Sequence, residues 1–234
     1  MKPSIPVFLV SLCAALSVAS LCGQESTEAT VNQLLGQKRS AVSGGKTRGF
    51  VPRGAKPAPI RTEKRSVRVT TPRGVPQNIQ VSGESKVHVS EVASYPPSAD
   101  APESGGKAWE ISYQVDPESN VTRTSILFVK DSTAFADDDS KDELERLAKV
   151  FKDPALAKES FVIEGHSSAE GSTPHNQQLS QLRAAAIVAE LVGYGVAEGK
   201  LVPVGFGESK ARYEASDPEP VRAQDRRVEI YRLE

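Results

Sequence analysis

From Thr124 to Tyr231 the apolar side chains follow two alternating periods, and this alternation restricts the possible folds more than any other feature of the chain. Thr124-Ser125-Ile126-Leu127-Phe128, Phe161-Val162-Ile163-Glu164, Lys200 to Val204 and Val228 to Tyr231 read as strands. Between them lie helical patterns. Lys141 to Phe151 carries Leu144, Leu147, Ala148 and Phe151 on one face, with Asp139-Ser140 as its cap and acids in its first turn, where the helix dipole favours them. Thr173-Pro174 fits a cap followed by a proline start for a second helix, which runs to about Val192 and stops at Gly193 and Gly195. Its core stripe is read as Leu179, Leu182, Ala186 and Ala189, with Ile187 and Leu191 beside it. Strands alternating with helices predict an α/β fold, a two-layer sandwich of helices on a mixed β-sheet.

The preceding part of the chain has a different composition. Between Lys38 and Arg73 there are eleven Lys or Arg against one acid, Glu63, whereas Glu110 to Glu234 holds 23 acids and 15 Lys or Arg, a net of −8. The two halves therefore have different electrostatic roles. Residues 24–105 contain repeated Pro and Gly and few large apolar side chains, so burial does not offset the entropy of ordering them. They read as a largely disordered basic linker with a short helix at Thr30 to Gln37 and isolated strands at Ser66-Val69 and Lys86-Val89. Pro96-Pro97 to Gly105-Gly106 marks the boundary, and 106–234 is the folded domain. Between Lys38 and Arg73 the single aromatic is Phe50, so no base-stacking platform is present and nucleic acid is not the expected partner. A solvated spacer is favoured, with anionic envelope polymers or the outer membrane as its other possible contact.

Residues 1–23 read as an export signal, with Lys2 ahead of an apolar run from Ile5 to Leu21. Both cysteines, Cys13 and Cys22, lie within or at the end of it, so a mature chain cut after Cys22 has neither a disulfide nor a thiol nucleophile. A lipid anchor at Cys22 is the less favoured alternative, because Leu21 stands where lipoprotein signals want a small residue.

The loop from His166 to Thr173 is small, polar and glycine-containing and leads into a helix N-terminus, whose free backbone N–H groups suit an anion. Asn176, Ser180 and Arg183 follow i, i+4, i+7 spacing, so a polar face leads from the loop to an arginine. Spacing alone leaves Arg183 open as a surface or structural residue. No compact metal-ligand spacing joins His166, His175, Glu164 and Glu170, and no nucleophile with a base is evident, so neither metal, cofactor nor catalysis is expected.

The ordered set Gly165-His166-Ser167-Ser168-x-x-Gly171, Asn176-x-x-Leu179-Ser180-x-x-Arg183-Ala184, Gly205-x-Gly207-Glu208 and Asp225-Arg226-Arg227-Val228-Glu229 resembles the OmpA-like C-terminal domain. The resemblance covers about the last half of the chain. It implies a non-catalytic, periplasmic, outer-membrane-associated protein that tethers the cell wall by binding the diaminopimelate-type residue of the peptidoglycan stem peptide. It further implies that Arg183 pairs with a carboxylate of that residue, beside His166, Ser167, Ser168, Glu170, Asn176 and Leu179, with Arg227 either lining the pocket or pinning the last strand. Ser168 stands where the family usually has an aspartate, which removes a charged acceptor for the ligand's ammonium. Glu170, two residues on, is the expected substitute. The rival reading is an interaction module that kept the fold and lost peptidoglycan affinity. Residues 24–105 lack the strands for a transmembrane barrel.

Overall fold

The computed structural model describes residues 26–36, 62–71, 86–92 and 107–234. The export signal, Cys13, Cys22, most of the basic run and the boundary at 96–106 lie outside the described residues.

The expected α/β sandwich forms over the C-terminal half. A four-stranded sheet has the order β4 (Val121–Arg123), β7 (Val228–Arg232), β5 (Phe161–His166), β6 (Leu201–Gly207). β5 and β6 run parallel, and the other pairs are antiparallel. The parallel pair requires a crossover, which is the helix α3 (Thr173–Gly193). α2 (Asp138–Phe151) packs beside it, burying Leu144, Leu147, Ala148, Val150 and Phe151 against Phe161, Ile163 and Ile230 of the sheet.

Three local expectations need correction. No strand forms at 124–128: Ile126 alone of its apolar residues is well buried, and the Leu127 N–H donates to Ser140 Oγ at 2.9 Å instead of joining a ladder. α2 starts earlier than expected, because Asp137 is the cap residue; its carboxylate accepts from the Ser140 N–H at 2.8 Å. The core stripe of α3 is Asn176, Ser180, Gln181, Ala184, Ile187 and Leu191, whereas Leu182 is 48% exposed. The physical reason is close approach. A Cβ on Gly165 would lie 2.7 Å from the Ser180 carbonyl oxygen, and one on Gly205 would collide with the Gln181 backbone. The strands present glycines, so the helix presents small and polar residues to them and turns Leu182 outward.

Within the expected linker 24–105, three segments are structural elements of the same body. α1 (Thr27–Leu35) buries Val31, Leu34 and Leu35 in the core shared by α2 and the sheet. β1 (Glu63–Thr71), β3 (Lys107–Val115) and β2 (Val87–Val92) form a second, antiparallel sheet with β3 in the centre. The strands are therefore not isolated. Val67, Val69, Val87, Ile111, Tyr113 and Val115 point inward and meet Val162, Val204, Phe206, Tyr231 and Leu233 of the four-stranded sheet. β5 is buried along its whole length as a result. The described residues thus form three layers: helices, mixed sheet and antiparallel sheet. The patterning of β1 and β3 is the ordinary period of two, with Lys64, Arg68 and Gln114 left outside.

Candidate functional site

Arg183 is positioned by the turn Val129–Ser132, which precedes α2. The Ser132 N–H closes that turn on the Val129 carbonyl at 3.1 Å. Arg183 Nε donates to the Ser132 carbonyl at 3.0 Å and Nη2 to the Val129 carbonyl at 3.2 Å, while the guanidinium lies 5.0 Å from the centre of the Phe128 ring. Two neutral acceptors thus fix its orientation, and among the described residues no carboxylate lies within ion-pair distance of it. Burial lowers its basicity; nearby Asp131 counteracts this and Arg226 adds to it. A half-buried arginine in that setting is ready to accept an anion, and its planar fork suits a carboxylate.

The face of α3 beneath the turn is His175, Leu179 and Arg183, spaced i, i+4, i+8 on one stripe. His175 Nε2 lies 3.4 Å from Asp131 Oδ1. Leu179 is half-buried between the two polar residues. The polar face expected from Asn176 through Ser180 to Arg183 is not a single surface. Asn176 is buried and donates to the Glu170 carbonyl at 2.8 Å and to Glu208 Oε2 at 2.5 Å, and the Ser180 hydroxyl accepts from the Gly207 N–H at 2.8 Å. Both hold the loop and β6 to the helix. Ser167 and Ser168 are buried in that loop, and the Ser167 N–H donates to the Gly207 carbonyl at 2.9 Å. Glu170 is exposed and pairs with Arg222 at 2.6 Å, so its charge is already matched.

His166 and Arg227 point elsewhere, into the space between the two sheets. His166 stacks on Phe206, with ring centres 5.4 Å apart, and among the described residues neither ring nitrogen has a hydrogen-bond partner. Burial pushes its imidazole below the ordinary histidine range, against the pull of Glu164. Arg227 is buried, donates to Glu229 Oε1 at 2.7 Å and pairs with Asp225 at 3.6 Å. Of the two roles open to it, pinning the last strand is the one its contacts describe. Asp225 in turn accepts from the backbone N–H groups of Arg212 and Tyr213.

Glu164, His166 and Glu229 bring one ligand atom each within 4.8 Å of one another. Beside them, in addition to Arg227, is Arg65 from β1, 2.6 Å from Glu164 and 3.9 Å from Glu229, and 3.9 Å from the centre of the Tyr231 ring. Tyr113 donates its hydroxyl to Glu164 at 2.6 Å, and Tyr231 donates to Glu229 at 2.8 Å. Burial opposes the charge on Arg65, but Glu164 and Tyr231 outweigh it and raise its basicity. A divalent ion added here would meet the guanidinium in a space closed to water, so the donor set does not fit a metal. It is an ion-paired joint between the sheets.

A mixed sheet with a helical crossover and glycine-paved strands defines a domain of the α/β class. Residues 127–226 match the model of the OmpA family, and the chain carries an OmpA-like domain over that span. The chain is 42% identical over 71 residues to outer membrane porin F of Pseudomonas aeruginosa, covering 30% of this chain and 20% of that protein. It is 40% identical over 82 residues to outer membrane protein A of Klebsiella pneumoniae, covering 30% of this chain and 23% of that one. The chain spans about a fifth of the length of these curated relatives. Among solved structures, the peptidoglycan-associated lipoprotein from Burkholderia pseudomallei is 25% identical with a TM-score of 0.41, over 46% of this chain and 87% of that one. No helix among the described residues is long and apolar enough to cross a membrane.

Sequence reasoning did not place Asp131, Arg226 or Phe128 near Arg183. The Lys130-Asp131-Ser132-Thr133 run is turn chemistry, and it marks where the chain reverses to meet Arg183.

Proposed function

We propose that this chain is a non-catalytic peptidoglycan-binding protein of the cell envelope. Its OmpA-like domain holds the diamino acid of the stem peptide, with Arg183 on the ligand's carboxylate. One observation carries this reading: Arg183 is held in place by two backbone carbonyls, and among the described residues no carboxylate pairs with it. The resemblance of the surrounding motifs to the OmpA-like domain supplies the ligand class. Leu179 forms the floor of the site, Ser167 and Ser168 shape the loop at its end, and Asn176 braces that loop. Exported and periplasmic, the protein is associated with the outer membrane.

The test is co-sedimentation of the full mature chain with isolated peptidoglycan, beside Arg183→Ala. Binding by the parent and its loss in the variant support the reading. The rival, a fold that no longer binds peptidoglycan, is favoured by Ser168 and by the pairing of Glu170 with Arg222. It predicts that the parent stays in the supernatant.

A further inference from the structure

Strand periodicity places Glu164 and His166 of β5 and Glu229 and Tyr231 of β7 on the face turned to the antiparallel sheet. In the β5–β7 register Glu164 lies directly opposite Glu229, and like charges so placed repel. The pair therefore needs a cation between its carboxylates. Two basic side chains reach for the same two oxygens. Arg65 Nη1, from the antiparallel sheet, lies 2.6 Å from Glu164 Oε2 and 3.9 Å from Glu229 Oε2. His166 Nε2, from the central sheet itself, lies 3.7 Å and 3.8 Å from those two atoms. We propose that His166 is an acid-operated release for the antiparallel sheet: once protonated, it serves as the cation for Glu164 and Glu229, and Arg65 is no longer needed to hold them.

In the closed joint the imidazole is buried against Phe206. Burial keeps it neutral; Glu164 and Glu229 draw it toward the charged form and Arg227 opposes them. The other groups around the joint are Glu63, paired with Arg65 at 3.0 Å, Asp225, paired with Arg227 at 3.6 Å, and Lys210, whose Nζ lies 4.4 Å from the centre of the Phe206 ring. The hydroxyls of Tyr113 and Tyr231 donate to the two carboxylates. Of these side-chain types, histidine alone ordinarily changes charge between about pH 5 and pH 8. A proton refused by the closed joint binds when the joint opens to water, so acid raises the open population. Because His166 is held below 6.5, that rise is absent above pH 6.5 and develops below it. Opening separates Val67, Val69 and Ile111 from Val162, Val204 and Phe206, so the open form stays a minor population. The contact of α3 with β6 is made by Gln177, Ser180 and Gln181 on the backbone of Gly205 and Gly207, and none of these side chains takes up a charge in acid.

The test is native-state hydrogen exchange of the full mature chain from about pH 7.5 to about pH 5, read by mass spectrometry and corrected for the intrinsic rate at each pH. Peptides from β1 and β3 should lose protection below pH 6.5, by up to about tenfold per pH unit, the limit for one proton. Peptides from α3 and β6 should keep theirs. His166→Phe, which retains an aromatic ring against Phe206 and cannot charge, should abolish the loss. The chain's other histidines, His88 and His175, are exposed, and His88→Gln and His175→Gln should leave the loss unchanged. In the parent, an NMR titration of the His166 ring should show a midpoint below 6.5 that coincides with the loss of protection, a readout that stands even where His166→Phe fails to fold. No loss of protection in the parent overturns the inference. So does a loss that survives in His166→Phe, spreads equally to α3 and β6, or vanishes with His88→Gln or His175→Gln. A ring midpoint at or above 6.5 overturns it as well.

Discussion

The two faces of the central sheet are covered in opposite ways. On the helix side, Gly165, Gly205 and Gly207 let the backbone of α3 lie directly on the strands, and the contact is made of small atoms. On the other side, the strands carry Glu164, Glu229 and Tyr231, and the antiparallel sheet answers with Arg65 and Tyr113 among valines. One face is closed by shape and the other by charge. The difference separates two kinds of sequence signal. A shape-matched face leaves a motif of glycines. A charge-matched face leaves alternating polar residues that look like a solvent side, so nothing in β5 or β7 alone asks for a cover.

The largest effect should come from the charged joint. Arg65→Ala removes the ion pair that Glu164 makes in its buried site, and breaking a buried pair in this way destabilises by about 3–5 kcal/mol. Urea unfolding would measure it; adding Glu164→Gln should recover part of the loss. If Arg65→Ala unfolds at the parent midpoint, the antiparallel sheet is not a working part of the domain. On the helix face, Gly205→Ala forces the Gln181 backbone away and should cost about 1–3 kcal/mol. Gly193, with nothing within 4 Å of an added Cβ, is the control: Gly193→Ala should stabilise by about 0.5–1 kcal/mol through helix propensity.

Acid should loosen the charged face first. His166 is held below its ordinary value of 6.5, chiefly by burial, so below that pH the unfolded chain binds a proton that the folded chain refuses, and stability falls. Glu229 is disfavoured as an anion by burial, but Arg227 and its other partners outweigh this and bring it from 4.5 down to about 2. Its contribution is present above pH 4.5 and is lost as the pH falls toward 2. Thermal melts from pH 7 to pH 2 should decline in those two windows, and His166→Phe should remove the first. The smallest change is Leu182→Gln on the exposed side of α3, expected within about 0.5 kcal/mol.

The fold was legible where period and motif agreed. β5, β6, β7 and the ends of α3 sit close to where apolar runs, Thr173-Pro174 and Gly193 placed them. The rotation of α3 was not legible, because its buried stripe is set by the strands' glycines rather than by its own leucines. Arg183 and Leu179, both expected at the site, share one stripe of α3. His166 and Arg227 belong to the motif but point into the inter-sheet joint, so a motif match located the strands that carry them, not the direction of their side chains. Asp131 was hidden because the strand expected at 124–128 occupied the stretch leading into its turn. β1 and β2 were discounted because their neighbourhood is rich in Pro and charge; what orders them is a partner surface more than ninety residues away, as the Arg65–Glu164 pair illustrates.

The seat of α1 changes how this molecule would carry a load. Arg232, fully buried near the C-terminus, donates to the carbonyls of Leu34 and Leu35 and pairs with Asp116 at 2.5 Å. The first helix is thus clasped by the last strand. A pull applied between α1 and Arg183 runs through that clasp and the rigid body. The clasp is therefore a mechanical fuse between the first helix and the rest of the body.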